Sequence, residues 1–252
     1  MTDIIIQGIN GRMGRVLQEM IAARTDCRIV AGVDVAAGNA GDIPVFSSFA
    51  QVDVPADVLI DFSCPDATRS AVRYCAEKKL PCVICTTGLD DALVADIRQL
   101  SSQTAVFRSG NMSMGINLLM ELCKKASAVL GEGFDVEIVE KHHHNKVDAP
   151  SGTALMLADS INSVNDGKYH YVYDRQNVRA KRDADEIGIS SVRGGSIVGE
   201  HEVLFCGPDE VITLQHTAYS RNVFANGAIQ AALFLAKQTP GMYDMSAMLA
   251  QI

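Results

Sequence analysis

The chain has 252 residues, a formal net charge of −8 and a hydrophobic fraction of 48%. That length buries a sizeable core without disulfide or metal staples, as one large domain or two smaller ones. The acidic balance, with no basic block to offset it, argues against bulk electrostatic binding to nucleic acid. Few aromatics and no Trp leave no stacking platform for single strands. No apolar run reaches the ~20 residues needed to span a membrane. The amino terminus lacks a basic region and reads as a strand rather than a signal peptide. Seven cysteines, mostly in apolar stretches, point to reduced thiols and a cytoplasmic location.

Residues 3–8 form a short apolar run. Residues 12–24 carry Met13, Val16, Leu17, Met20 and Ile21 at helical spacing. Cys27–Asp34 is a second strand-like run. Between the first strand and the helix lies Gly8-Ile9-Asn10-Gly11-Arg12-Met13-Gly14, with Asn10 where a strict dinucleotide fingerprint has its second close-set glycine. Asp34 follows Gly14 by twenty residues, near the ~20 expected of an acid that bonds the adenosine ribose. Glycines allow a tight turn and close approach to a pyrophosphate, and the helix amino terminus favours its charge. Strand, helix, second strand and terminal acid together predict a dinucleotide cradle; the plainer alternative is a glycine-rich turn that binds nothing.

The alternation continues. Strands are expected at 56–62, 81–86 and 104–107. Helices are expected from Pro65 to about Lys79 and from an Asp90 cap to about Leu100. This rhythm predicts a parallel sheet, with ligands beyond the carboxyl ends of its strands. Those ends supply Gly8 to Gly14, Asp34, Phe62-Ser63, Thr86 to Gly88 and Ser109 to Ser113. Cys82 and Cys85 form a Cys-x-x-Cys, but strand alternation sends them to opposite faces, which favours core packing over a redox or metal site.

A long amphipathic helix is expected over 113–130 and a half-buried strand over 134–142. A helix over 151–161 takes Ser151 as its N-cap. Residues 164–186 read as a surface loop or subunit arm. Strand-like runs at 187–192, 197–205 and 211–218, joined by Gly194-Gly195 and Gly207-Pro208, read as an antiparallel sheet. Residues 223–237 are again helical. The break between the two patterns falls near residue 112.

The chemistry is expected in Glu140-Lys-His-His-His-Asn-Lys-Val-Asp-Ala-Pro-Ser-Gly-Thr153. If the strand continues, His142 and His144 face one side and His143 the other. Three readings are open: structural histidines; a metal site with Glu140, Asp148 or His201 as third ligand; or acid–base catalysis with Lys146 as a nearby cation. A hydride donor needs a partner that supplies a proton and holds an anionic substrate. His142 or His143 with Lys146 and the Ser151-Gly152-Thr153 helix start meets that need.

This stretch closely resembles the signature of the dihydrodipicolinate (4-hydroxy-tetrahydrodipicolinate) reductase family of lysine and diaminopimelate biosynthesis. So do the glycine loop, Asp61-Phe62-Ser63 with Pro65, Thr86-Thr87-Gly88, Asn111 to Gly115, Arg193-Gly194-Gly195, Ile197 to His201 and Phe224 to Ala228. The resemblance implies an NAD(P)H-dependent oxidoreductase that delivers hydride to C4 of a cyclic dicarboxylate, with protonation completing the step. It implies His142 as proton donor/acceptor and Lys146 as second donor. It implies substrate contacts from His143, Gly152 and Thr153, with His144 a bystander. The cofactor contacts it implies are Gly8, Ile9, Asn10, Gly11, Arg12, Met13, Asp34, Thr86, Thr87, Gly88, Gly110, Asn111, Met112 and Ser113, with no metal. The implied fold is α/β: a Rossmann-like nucleotide-binding domain over 1–112 and 223–252, and an α+β substrate-binding and tetramerisation domain over 113–222 with a mixed, largely antiparallel sheet. The implied assembly is a homotetramer. Asp34, followed by Val35-Ala36-Ala37 with no basic residue beside it, repels a 2′-phosphate unless a cation such as Arg12 compensates, so NADH is expected to serve at least as well as NADPH. A dinucleotide-binding regulator without turnover, or a reductase of another cyclic imine dicarboxylate, are the competing functions.

Overall fold

A computed structural model describes residues 1–251 of the chain. The chain divides into two compact units: Met1–Met114 with the described residues from Arg221 onward, and Gly115–Ser220.

The first unit is built on an eight-stranded sheet. In chain order its elements are β1 (Thr2–Gln7), α1 (Arg12–Ala22), β2 (Cys27–Val33), β3 (Gly38–Ala40), β4 (Ile43–Phe46), β5 (Val58–Asp61), α2 (Pro65–Lys78), β6 (Cys82–Ile84), α3 (Asp91–Leu100) and β7 (Ala105–Arg108). The second unit then supplies α4 (Met114–Leu130), β8 (Asp135–His142), α5 (Gly152–Ser163), β9 (His170–Val172), β10 (Glu186–Arg193), β11 (Gly199–Cys206) and β12 (Val211–Ala218). The chain returns to the first unit with α6 (Asn222–Leu235), β13 (Gly241–Tyr243) and α7 (Met245–Leu249).

The first sheet has the order β13-β7-β6-β5-β1-β2-β4-β3, parallel except for the β3–β4 pair at one edge. β1 is an unbroken Ile4-Ile5-Ile6 because both its faces are covered. Ile4 and Ile6 enter a core with residues of α1, α6 and α7, and Ile5 enters the opposite core with residues of α2 and α3. Cys82 and Cys85 likewise pack into opposite cores. The helix ends follow local rules: Pro65 opens α2 with Asp66 in its first turn and Lys78 in its last, and Asp90 caps α3 by accepting from Leu93 N. The order places β5 and β2 on the two sides of β1, so strand order reverses there and opens a crevice at the carboxyl ends. No described helix is long and apolar enough to cross a membrane.

The second unit is a five-stranded sheet, β12-β11-β8-β10-β9, with α4 and α5 packed on one face. Two pairings are antiparallel, β11 with β12 and with β8; two are parallel, β10 with β8 and with β9. The hairpin expected between 187–192 and 197–205 does not form. β8 lies between those strands, so Gly194-Gly195 spans a neighbour instead of closing a turn. The expected loop over 164–186 also contains β9, three residues added beside β10.

Candidate functional site

In the first unit, β1 runs into Gly8, whose φ of +78° is left-handed and whose place a side chain could not take: a Cβ there would lie 2.3 Å from Phe62 O. Gly11 N donates to Gly8 O (3.0 Å), which folds the loop back to the start of α1. Gly11 is the N-cap of α1 and offers no side-chain bond, so the first N–H groups of that helix are left for a ligand. The unpaired N–H groups at the start of α1, and not the space at Gly8, are what an anion such as a pyrophosphate would meet.

Asp34 stands just past β2. Its carboxylate accepts from Asn10 N (2.9 Å) and Val35 N (2.8 Å), which ties the acid to the glycine loop. Gly8, Gly11 and Asp34 line a cavity of about 380 Å³ together with Ser47, Ser48 and Ser63. A second cavity, about 320 Å³, is lined by Arg12, Met13, Thr87, Gly110, Asn111 and Met112, and also by Phe62, Arg221 and Phe224. Of the remaining expected cofactor contacts, Ile9 is fully buried and packs its side chain against Gly32, and Ser113 is also buried. Thr86 is buried behind the wall, and Asn10 and Gly88 line neither cavity. Sequence reasoning missed Ser47 and Ser48, which follow a four-residue strand with no legible period. It also missed Arg221 and Phe224, which reach this unit only because the chain returns. Arg12 and Arg221 give the second cavity two guanidinium groups suited to a phosphate or carboxylate.

In the second unit, β8 alternates cleanly: Val136, Ile138, Glu140 and His142 all point inward and are buried. The apolar register thus ends in two ionisable side chains. The strand stops at His142, so the three histidines do not alternate; His142 is buried, His143 half-buried and His144 exposed. Glu140, fully buried, is held on all sides. Arg193 donates to both its oxygens (2.7 and 2.8 Å), Ser151 N donates to Oε1 (3.1 Å), and His142 Nδ1 lies 2.5 Å from Oε2. Burial pushes the Glu140 carboxyl up, but the Arg193 guanidinium and the other donors bring it down to about 2. An ionised Glu140 accepts only, so His142 carries its proton on Nδ1 and leaves Nε2 as the atom that exchanges protons. A Cβ on Gly199 would lie 3.1 Å from that Nε2, so the ring edge rests on a residue without a side chain. Burial lowers the His142 pKa; the Glu140 carboxylate opposes this, and the charges of Lys146 and Arg193 reinforce it.

Ser151 joins the histidine centre to α5. Its hydroxyl accepts from Ala154 N (3.1 Å) as the helix N-cap and is hydrogen-bonded to His201 Nε2 (2.9 Å). The His201 ring meets that of His142 edge to face at 5.1 Å. Gly152 and Thr153, the first residues of α5, therefore stand where Ser151 fixes them, next to the carboxylate that holds His142. Lys146 pairs with Asp148 (2.9 Å) and is tied by its N–H to His143 O (3.1 Å). His143 Nδ1 is buried with no partner among the described residues. Among the described residues no group of three or more His, Cys, Asp or Glu is placed to hold a metal ion, and the Glu140 oxygens are already occupied by donors. From sequence, Glu140 and His201 are candidates only as third metal ligands and Ser151 as the N-cap at the helix start, while Arg193 and Gly199 stand only in motifs of the resemblance; the N-cap is where Ser151 was expected, and the contacts around Glu140 were not foreseen. The i, i+2 spacing of Glu140 and His142 in an alternating strand was the one local signal for them.

Two family models match the chain, described as dihydrodipicolinate reductase, N-terminus, over residues 2–112, and dihydrodipicolinate reductase, C-terminus, over residues 115–249. A 4-hydroxy-tetrahydrodipicolinate reductase of Caldanaerobacter subterraneus is 50% identical over 245 residues, covering 97% of each chain. That of Clostridium tetani is 46% identical, covering 99% of this chain and 97% of its own. Among solved structures, a dipicolinate-bound dihydrodipicolinate reductase from Paenisporosarcina matches with a TM-score of 0.81 at 25% identity, covering 97% of both chains.

Proposed function

Because the chain belongs to the dihydrodipicolinate reductase family, we propose that its histidine centre completes the reduction of 4-hydroxy-tetrahydrodipicolinate, by way of dihydrodipicolinate, to tetrahydrodipicolinate in lysine and diaminopimelate biosynthesis. The observation that carries this is the Glu140–His142 pair at the end of β8, clamped by Arg193 beside the Ser151-capped start of α5. When bound, NADH or NADPH supplies the hydride that adds to ring C4.

Everything else is work for the chain's own groups. Gly8, Gly11 and Asp34 hold the pyrophosphate and adenosine ribose, and Arg12, Met13, Thr87 and Gly110 to Met112, which line the second cavity, hold the nicotinamide side. Gly152 and Thr153, at the positive end of α5, hold substrate carboxylates together with His143. The Paenisporosarcina relative has dipicolinate, a planar ring dicarboxylate, bound. His142 delivers a proton from Nε2, and Lys146 acts as the second donor and balances charge. The two carboxylates of a bound substrate favour the charged form of His142, which burial otherwise disfavours. A cytoplasmic homotetramer belongs to the same reading. Four of the seven cysteines are buried in the cores, as suits a reducing compartment.

None of the described residues lining the Asp34 cavity is a Lys or Arg, and Arg12 lines the other cavity. This supports NADH as a cofactor at least as good as NADPH. The test is an assay in which the condensation product of pyruvate and aspartate semialdehyde is supplied and nicotinamide absorbance followed. NADH should be consumed with kcat/KM no lower than that for NADPH. A strong NADPH preference sinks the cofactor reading, and NADH binding without consumption would mark a dinucleotide-binding regulator instead.

A further inference from the structure

Asp61 ends β5 with 0% exposure, and no Lys or Arg is among its hydrogen-bond partners in the described residues. Its carboxylate accepts three hydroxyl bonds, from Ser63 (2.5 Å), Thr68 (2.6 Å) and Thr86 (2.9 Å). The bonds have a direction. Ser63 N donates to Thr86 Oγ1 (3.0 Å), so the Thr86 hydroxyl is left to donate to Asp61. The Ser63 and Thr68 hydroxyls each have a second acceptor in Cys64 O, at 3.4 and 3.1 Å. Thr86 has no second acceptor among the described residues. The chain Ser63–Thr86–Asp61 thus fastens the turn after β6 to the turn after β5.

Both turns face the cavities of the first unit. Phe62 lines both cavities, Ser63 and Cys64 line the one beside Asp34, and Cys85 and Thr87 line the one beside Arg12. Phe62 O is also the atom that excludes a side chain at Gly8. We infer that Asp61 is a positioning residue of the dinucleotide site: by holding Thr86 it locks the two turns together and fixes the wall shared by the two cavities. This rests on the reading that those cavities take the cofactor. Burial pushes the Asp61 carboxyl up, against the pull of its three hydroxyl donors. A fully buried acid without a countercharge is a burden on folding that a purely structural wall does not require.

The test is Asp61→Asn in the full-length protein, read by NADH fluorescence titration, steady-state kinetics and thermal melting. Ser63 and Thr68 can turn to Cys64 O, but Thr86 loses its carboxyl acceptor. The NADH Kd and the KM for NADH should each rise about tenfold, which is about 1.4 kcal/mol. The kcat at saturating NADH and the KM for the dicarboxylate should stay within about twofold, and the Tm of the unliganded protein should not fall. Thr86→Val should reproduce the effect and Thr86→Ser should restore wild-type binding, which keeps the test open if Asp61→Asn folds poorly. An unchanged Kd in both Asp61→Asn and Thr86→Val overturns the inference. So does a loss spread equally over NADH binding, kcat and Tm, the mark of general loosening. If the wild type itself binds no NADH, the cofactor reading fails and this inference fails with it.

Discussion

Behind His142 the inward face of β8 changes character. Val136 and Ile138 bury by hydrophobicity alone; Glu140 and His142 bury only because Arg193, Ser151 and each other satisfy them. His201 faces Glu140 across the β8–β11 pairing and is nearly as buried. Burial first, and then the neighbouring charge of His142, push its pKa down to about 4. An unfolded chain takes up that proton near pH 6.5. Between those values the unfolded state binds more protons, so stability is full above pH ~6.5 and drains away as pH falls toward 4. The size is on the order of 3 kcal/mol. Burial lowers His142 and His216 as well, in the same sense. Urea unfolding at pH 7 and pH 4.5 should show a clear loss for the wild type and a smaller one for His201→Asn; equal losses contradict the assignment. The sequence placed His201 inside a family motif but not beside Glu140, because that neighbourhood is made by strand register and not by local spacing.

At the scale of elements, what was legible is what has a period or a cap. The three crossover helices with their Pro65, Asp90 and Ser151 starts, and the strands they connect, are where pattern and terminal residues put them. β3, β9 and β13 have three residues each, too few for any period, and pair only because a sheet edge is nearby. The order of the second sheet was misread because Gly194-Gly195 has the composition of a hairpin, while β8 takes the place beside β11 by antiparallel pairing along seven residue pairs. The junction of the glycine loop with α1 is a close backbone contact. A Cβ on Gly14 would lie 2.3 Å from both Gly8 O and Ile9 O. Gly14→Ala should therefore destabilise the protein by about 1–3 kcal/mol and weaken NADH binding severalfold, as overpacking against backbone does. Gly133→Ala, where a Cβ meets nothing within 4 Å, should stay within about 0.5 kcal/mol. Denaturant melts and NADH titration of the two variants check this, and similar behaviour of both would contradict it.

At the scale of the molecule, βα alternation was enough to give an α/β fold, and the motif set was enough to give the family. The return of α6 to the first unit was implied only by the resemblance. Nothing in its composition announces that Gly227 lets the helix lie against Met112 O, or that Arg221 and Phe224 then reach a cavity built by residues some hundred positions earlier. Such contacts span the whole intervening unit and leave no local trace. The account of function in turn depends on one atom, Nε2 of His142, being the proton carrier that Glu140 and Arg193 orient. The most direct measurement is kcat of His142→Gln against the wild type at saturating NADH and dicarboxylate. The account predicts a fall of about 10² or more, the usual scale for loss of a general acid, with the NADH Kd unchanged. An unchanged kcat would contradict it.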